Sequence, residues 1–215
     1  MKPIQLILSK PFGQLPAVAS RFWGNPDLPE GTGYPMYVDD EGDEYPYLFV
    51  CQINLEQVAP YDTAGRLPHK GLLAFFAKID HYVGMFAATD QVQGHISRPD
   101  AVKVLWIENT ENLREVVLVD DDDSPLAFEE MQIDFNLTPE PLSDDHFLLA
   151  APTHREWETW DPPFEDWEIL LQVDSFAGMD FNLNFMDCGV FDFLISPRDL
   201  RARRFDNVRG IVLST

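Results

Sequence analysis

The chain has 215 residues, 45% hydrophobic and 13% aromatic, enough apolar material for a buried core and too much for wholesale disorder. Its 37 acids against 15 bases leave a formal charge of −22, far beyond what solubility requires. Nucleic acid and anionic membranes, both bound by clustered Lys and Arg, are disfavoured as ligands, and a basic protein partner is favoured.

At the N-terminus, Ile4-Gln5-Leu6-Ile7-Leu8 is too short for a signal-peptide core and ends at Lys10-Pro11. No apolar run approaches the ~20 residues that span a bilayer. Two cysteines without a signal peptide predict free thiols in a reducing compartment, so the expected location is cytoplasmic. Residues 11 to 47 are punctuated by Pro26, Pro29, Gly31, Gly33, Pro35 and Pro46, which break any long helix. Within them Asp39-Asp40-Glu41-Gly42-Asp43-Glu44 predicts an acidic hairpin tip or loop.

Leu48 to Asn54 reads as a strand in which Cys51 is a buried, inert thiol. Asn54 is placed to cap a short helix over Leu55-Glu56-Gln57-Val58, which Pro60 ends. Gly71 to Ile79 predicts a buried strand. Val102 to Ile107 and Met131 to Leu137 alternate with a period of two, and Val116 to Val119 is a β-branched run. Ser124-Pro125 can open one helical turn through Glu130. Near the end, Ser196-Pro197 with Asp199 predicts a capped helix that turns Leu200 and Phe205 to the core and leaves Arg201 and Arg204 solvated.

One pattern organises these pieces. Leu48-Phe49-Val50-Cys51-Gln52-Ile53-Asn54 is echoed by Ile169-Leu170-Leu171-Gln172-Val173-Asp174. After similar gaps, Gly71-Leu72-Leu73-Ala74-Phe75-Phe76 is echoed by Gly189-Val190-Phe191-Asp192-Phe193-Leu194. A strand, connection and strand recurring at near-constant spacing suggests one unit used twice. The expected fold is therefore α+β and β-rich: two similar antiparallel-sheet units from an internal duplication, with short helices. Residues 1–215 form a single compact domain with repeat halves near 22–118 and 119–210.

Chemistry is sparse. The chain has no Gly-x-Ser-x-Gly elbow, no His-Glu-x-x-His and no Gly-Lys-Ser/Thr phosphate loop. Asp120-Asp121-Asp122-Asp123-Ser124-Pro125 fails as a calcium loop, with Pro125 where Gly is needed and Met131 where Glu is needed. His146 and His154, flanked by Asp144, Asp145 and Glu156, are read as chance neighbours among many acids. No catalytic residue, metal or cofactor is expected, and the chain reads as leaning away from catalysis. Gln52, Asn54, Gln172 and Asp174 are candidates to line a pocket shared between the halves, against satisfying local backbone groups. In Glu156 to Trp167, large aromatics alternate with acids around Pro162-Pro163. They either close the core or, through Trp157 and Trp160, anchor a partner.

Phe22-Trp23-Gly24-Asn25-Pro26-Asp27-Leu28-Pro29, Gln52-Ile53-Asn54-Leu55, Leu67-Pro68-His69-Lys70-Gly71-Leu72, Leu171-Gln172-Val173-Asp174-Ser175 and Asp187-Cys188-Gly189-Val190-Phe191-Asp192-Phe193 together resemble the YwqG-like family of bacterial domains, from about Phe22 to Phe205. The Gly and Gln expected around Leu149 to Pro152 are missing. The resemblance implies an α+β fold with an internal duplication and supplies no catalytic residues. It also implies a role as an immunity or antitoxin protein. The expected function is a non-catalytic protein-binding module, an immunity- or antitoxin-type inhibitor of a basic toxin. The alternative is a small-ligand binder or enzyme with a polar pocket between the halves. The expected partner surface comprises Asp120, Asp121, Asp122, Asp123, Asp144, Asp145, Trp157 and Trp160.

Overall fold

In chain order the strands and helices of a computed structural model are β1 (Ile4–Ser9), β2 (Arg21–Phe22), β3 (Asp27–Pro29), β4 (Met36–Val38), β5 (Glu44–Pro46), β6 (Leu48–Asn54), α1 (Leu55–Val58), β7 (Leu72–Ala77), β8 (Val102–Ile107), β9 (Leu113–Glu115), β10 (Met131–Leu137), β11 (His146–Ala150), β12 (Glu168–Asp174), β13 (Phe176–Ala177), β14 (Asn182–Leu183), β15 (Val190–Ile195), α2 (Pro197–Arg201) and β16 (Arg209–Leu213). The structure describes residues 2–79, 92–137, 145–150, 160–179, 182–185 and 189–213. Strands dominate and the helices are single turns. Neither helix is long or apolar enough to cross a membrane.

Local chemistry explains where the helices sit. Asn54 leaves β6 with an extended backbone and its side chain accepts from the N–H of Glu56, starting α1. Ser196 does the same for α2, its hydroxyl accepting from Asp199 N at 3.0 Å, with Pro197 in the first turn. Leu200 and Phe205 are buried as their spacing predicted. Two expectations fail. Residues 124–130 are extended rather than helical, because Leu126 N–H donates to Leu118 O and Val119 bridges Pro125. Val116 to Val119 is not a regular strand; Val116 N–H is taken by Pro26 O, and Leu113–Glu115 pairs with β3 instead.

Ten strands form one antiparallel sheet in the order β16-β15-β12-β11-β1-β10-β2-β6-β7-β8. It nearly closes on itself. The segment leading into β8 meets the outer edge of β16, with Ser97 N–H donating to Gly210 O at 2.9 Å and Val212 N–H to Gln93 O at 2.8 Å. The two halves of the sheet meet across the interior, where the rings of Phe75 and Phe193 lie 5.2 Å apart, edge to face. Leu6, Phe22, Cys51, Ile53, Phe75, Leu171, Phe191 and Phe193 fill that space. Alternate residues of the same strands point outward and are covered separately. Phe49, Ala74 and Phe76 pack under Leu28 and Tyr47, and Ile169, Leu194 and Ile211 pack against Trp160.

The two flanks of the sheet share one register. β6 runs against β7 from Leu48 opposite Ala77 to Asn54 opposite Leu72, shifting between Phe49 and Cys51. β12 runs against β15 from Glu168 opposite Ile195 to Asp174 opposite Val190, shifting between Ile169 and Leu171. Gln52 Nε2 donates to Ala19 O at 2.9 Å, and Gln172 Nε2 to Asp145 O at 3.1 Å. Asn54 N–H donates to Ser20 Oγ and Asp174 N–H to His146 Nδ1. Gly71 and Gly189 both precede the inner strand, and a Cβ on either would strike the backbone carbonyl of Ile107 or Leu213. In the middle, β1 pairs with β10 and β11, and β10 pairs with β1 and β2. Ile4 stands opposite Leu148 as Met131 stands opposite Phe22.

Candidate functional site

A cavity of about 510 Å³ opens at the Leu48–Ala77 end of β6 and β7, where the inner and outer clusters meet, within the size range of ligand pockets. Its floor is Ala77 at the end of β7, Lys78 just after it, and the start of β6 (Leu48, Phe49). Its walls are two chain reversals. One is the β4–β5 hairpin, which contributes Tyr37, Tyr45 and Pro46; the other is the loop whose stems contribute Leu118, Leu126 and Phe128. Trp23 closes the back, its ring 5.5 Å from that of Phe128.

The two reversals are built alike. Asp39 Oδ1 accepts from the N–H groups of Glu41 and Asp43, both at 2.9 Å. Asp120 Oδ1 accepts from Asp122 and Ser124 at 2.9 and 2.8 Å. Asp39 N–H closes onto Asp43 O, and Asp120 N–H onto Ser124 O. Gly42 and Asp123 occupy the same left-handed position, with φ of 97° and 60°. The first aspartate of each turn is thus consumed by backbone N–H groups, as Asx turns require. The remaining acids at the tips are exposed: Asp40, which meets Arg98 Nη1 at 3.4 Å, and Glu41, Asp43, Glu44 and Asp121 to Asp123.

The interior of the cleft is aromatic and nearly neutral. The phenol of Tyr34 donates to Tyr47 O at 2.9 Å, and that of Tyr47 to Asp100 O at 2.7 Å. Burial pushes Tyr34 up to about 12; Tyr47 is raised by burial and then by neighbouring Asp100, so both stay protonated. Lys78 is the buried charge at the floor. Its Nζ lies 2.8 Å from Asp100 Oδ2 and 4.5 Å above the Tyr37 ring. A lysine paired with a carboxylate in this way is a poor nucleophile. Among the described residues, no three His, Cys, Asp or Glu side chains are grouped to hold a metal. Cys51 is buried and burial pushes its thiol well above the usual range.

The other candidates are dispersed. Gln52, fully buried, accepts from Asp27 N–H at 2.9 Å and donates to Asp27 Oδ2 at 2.7 Å. Asp27 also accepts from Arg21 Nη2 at 2.7 Å and Val18 N–H at 2.8 Å, and Arg21 reaches Glu130 at 3.1 Å. This buried cluster clamps the chain after β2 onto β6. Asn54 caps α1, and Asp174 Oδ1 accepts from Ser175 N–H. Four strands separate β6 from β12 in the sheet, and none of Gln52, Asn54, Gln172 and Asp174 lines the cavity. Asp120 to Asp123 stand exposed at the mouth of the cleft. Asp145 is engaged by Gln5 Nε2 and by His146 N–H. Trp160 is buried, its Nε1 donating to Trp167 O at 3.0 Å, which gives it a core position rather than an exposed one. Asp144, Trp157 and His154 lie outside the described residues.

His146 is packed between the rings of Phe22 and Phe176, at 5.3 and 4.9 Å. Burial lowers its pKa to about 4, against a smaller opposing pull from Asp145. The unfolded chain therefore binds a proton at His146 near pH 6.5 that the folded chain refuses until about pH 4. Stability falls as pH drops through that window. Thermal melts of wild type and His146→Asn between pH 7 and pH 4 test this, with the acid slope expected to flatten in the variant.

A comparison with curated proteins finds none similar to this chain. A family model described as a domain of unknown function (DUF1963) matches residues 20–162 and 143–212. The matches take in both flanks of the sheet, the Trp23 to Pro29 segment behind the cleft and the Asp120 turn. The chain belongs to the DUF1963 family.

Proposed function

We propose that the chain is a non-catalytic protein-binding module, an immunity- or antitoxin-type inhibitor that captures a basic toxin. The observation that carries this reading is the pair of matching acid-tipped turns, Asp39 to Asp43 and Asp120 to Ser124, on either side of an apolar cleft. Neither turn uses its outer carboxylates to hold itself together, and like charges gathered at two neighbouring tips repel one another at some cost. Their use is to attract opposite charge. The immunity role comes from the resemblance to YwqG-like domains, and the net charge of −22 suits a basic target. Attraction of this kind acts over about 8 Å at physiological salt. With a purified partner, stopped-flow mixing at rising salt is expected to slow association markedly while dissociation changes little. A salt-independent association rate contradicts the reading.

We also read the sheet as two copies of one unit, within a single domain whose halves run near 22–118 and 119–210. Supporting this are the shared register and bulge position, the paired glutamines, and the two glycines against carbonyls. The registers of β1 and β10 carry each copy back to its preceding strand, so that the copies exchange first strands at the centre of the sheet.

A further inference from the structure

We propose that the cleft seats one large apolar side chain of a basic partner segment, whose Lys and Arg residues lie against the acidic turn tips; this rests on the protein-binding reading above. Three features choose that occupant. First, the stems of the turns leave apolar groups at the rim, with Leu126 50% and Tyr45 45% exposed beside a cavity of about 510 Å³. Exposed apolar surface gathered at one cleft marks a binding site rather than scatter. Second, among the described residues no carboxylate lines the floor to receive a cation, and polar partners are few. Lys78 already takes the nearby Asp100 carboxylate at 2.8 Å, and the hydroxyls of Tyr34 and Tyr47 are spent on backbone carbonyls. An aromatic or aliphatic anchor fits that floor, and a buried lysine or arginine does not. Third, the tips on both sides of the mouth are acidic, so basic residues flanking the anchor find their complement outside the cavity, where they remain hydrated. A second copy of this chain, itself at −22, is repelled from the same surface.

The test uses short fluorescein-labelled peptides with Lys and Arg flanks and a central Trp, Leu or Ala, plus an acid-flanked Trp peptide, read by fluorescence anisotropy. At matched charge the Trp-centred basic peptide is expected to bind at least about tenfold tighter than the Ala-centred one. Ala127→Trp, which fills the cleft, removes that preference. Tyr45→Ala, at the exposed rim, reduces it by about threefold or more and keeps the test available should Ala127→Trp not fold. Replacing Asp120, Asp121, Asp122 and Asp123 by Asn weakens every basic peptide and leaves the Trp-to-Ala ratio unchanged. Equal binding of the Trp and Ala centres overturns the anchor inference while the acidic-surface reading stands. Retention of the preference in both cleft variants places the anchor elsewhere and overturns it too. Equal binding of acid-flanked and basic Trp peptides makes the cleft an apolar small-molecule site, and both readings fall.

Discussion

Arg21→Ala is expected to lower stability by about 3–5 kcal/mol, the range found when one partner of a buried ion pair is removed. Arg21 and Asp27 are 4% and 2% exposed at their side chains, and their 2.7 Å contact is the charge balance of the cluster beneath β6. Without the guanidinium, Asp27 keeps two donors, Gln52 Nε2 and Val18 N–H, but no cation. Glu130 loses its cation as well, keeping the Leu15 N–H at 2.9 Å. Arg21→Lys is not a rescue, because a point ammonium cannot reach Asp27, Glu130 and Pro16 O together as the planar fork does. Arg21→Met with Asp27→Leu is expected to recover a large part of the loss, since the most deeply buried carboxylate is removed together with its cation. Chemical denaturation of the three variants decides it; a loss below about 1 kcal/mol for Arg21→Ala would mean the pair is solvated in solution.

Gly71→Ala is expected to cost about 3 kcal/mol or more. At φ +92° an L-residue is strained, by about 1–3 kcal/mol for such outliers. The added methyl would also sit 2.5 Å from Ile107 O, well inside contact distance. Relief requires β8 to move off β7 at the Leu72 and Ile107 pair, opening an outer edge of the sheet. Gly33→Ala is the control. A Cβ there meets nothing within 4 Å, and the melting temperature is expected to stay near that of wild type.

Local chemistry made some of this structure readable from sequence and left other parts silent. The caps at Asn54 and Ser196 and the acidic tip at Asp39 to Glu44 were legible because each is settled within a few residues. β6, β7, β12 and β15 were legible because their apolar runs are long and bounded by breakers, and β8 and β10 because they alternate with a period of two. β1 and β2 were not, although both lie near the centre of the sheet: Ile4 to Ser9 reads equally as a short terminal stretch, and β2 is only two residues long. The apparent helix start at Ser124-Pro125 lost to the cross-turn bonds that hold 118–126 as a reversal. The cleft had no local signal at all, because Trp23, Tyr37, Phe49, Lys78 and Phe128 converge only once the sheet has curled. The aspartates at 120–123 were visible as charge, but their likeness to the Asp39 turn lies in backbone hydrogen bonds that composition does not reveal. Trp160, surrounded by acids in sequence, is drawn into the core by Ile169 and by Leu194 and Ile211, the last two far along the chain.

The most direct test of the basic-partner reading is a paired capture from the native host at low salt. It compares wild type with the variant carrying Asn at positions 120, 121, 122 and 123, and identifies retained proteins by mass spectrometry. A single basic protein held in stoichiometric amount by wild type, released by salt and missing from the variant, is the predicted result. Recovery of no stoichiometric partner, or of one held equally by both forms, contradicts it.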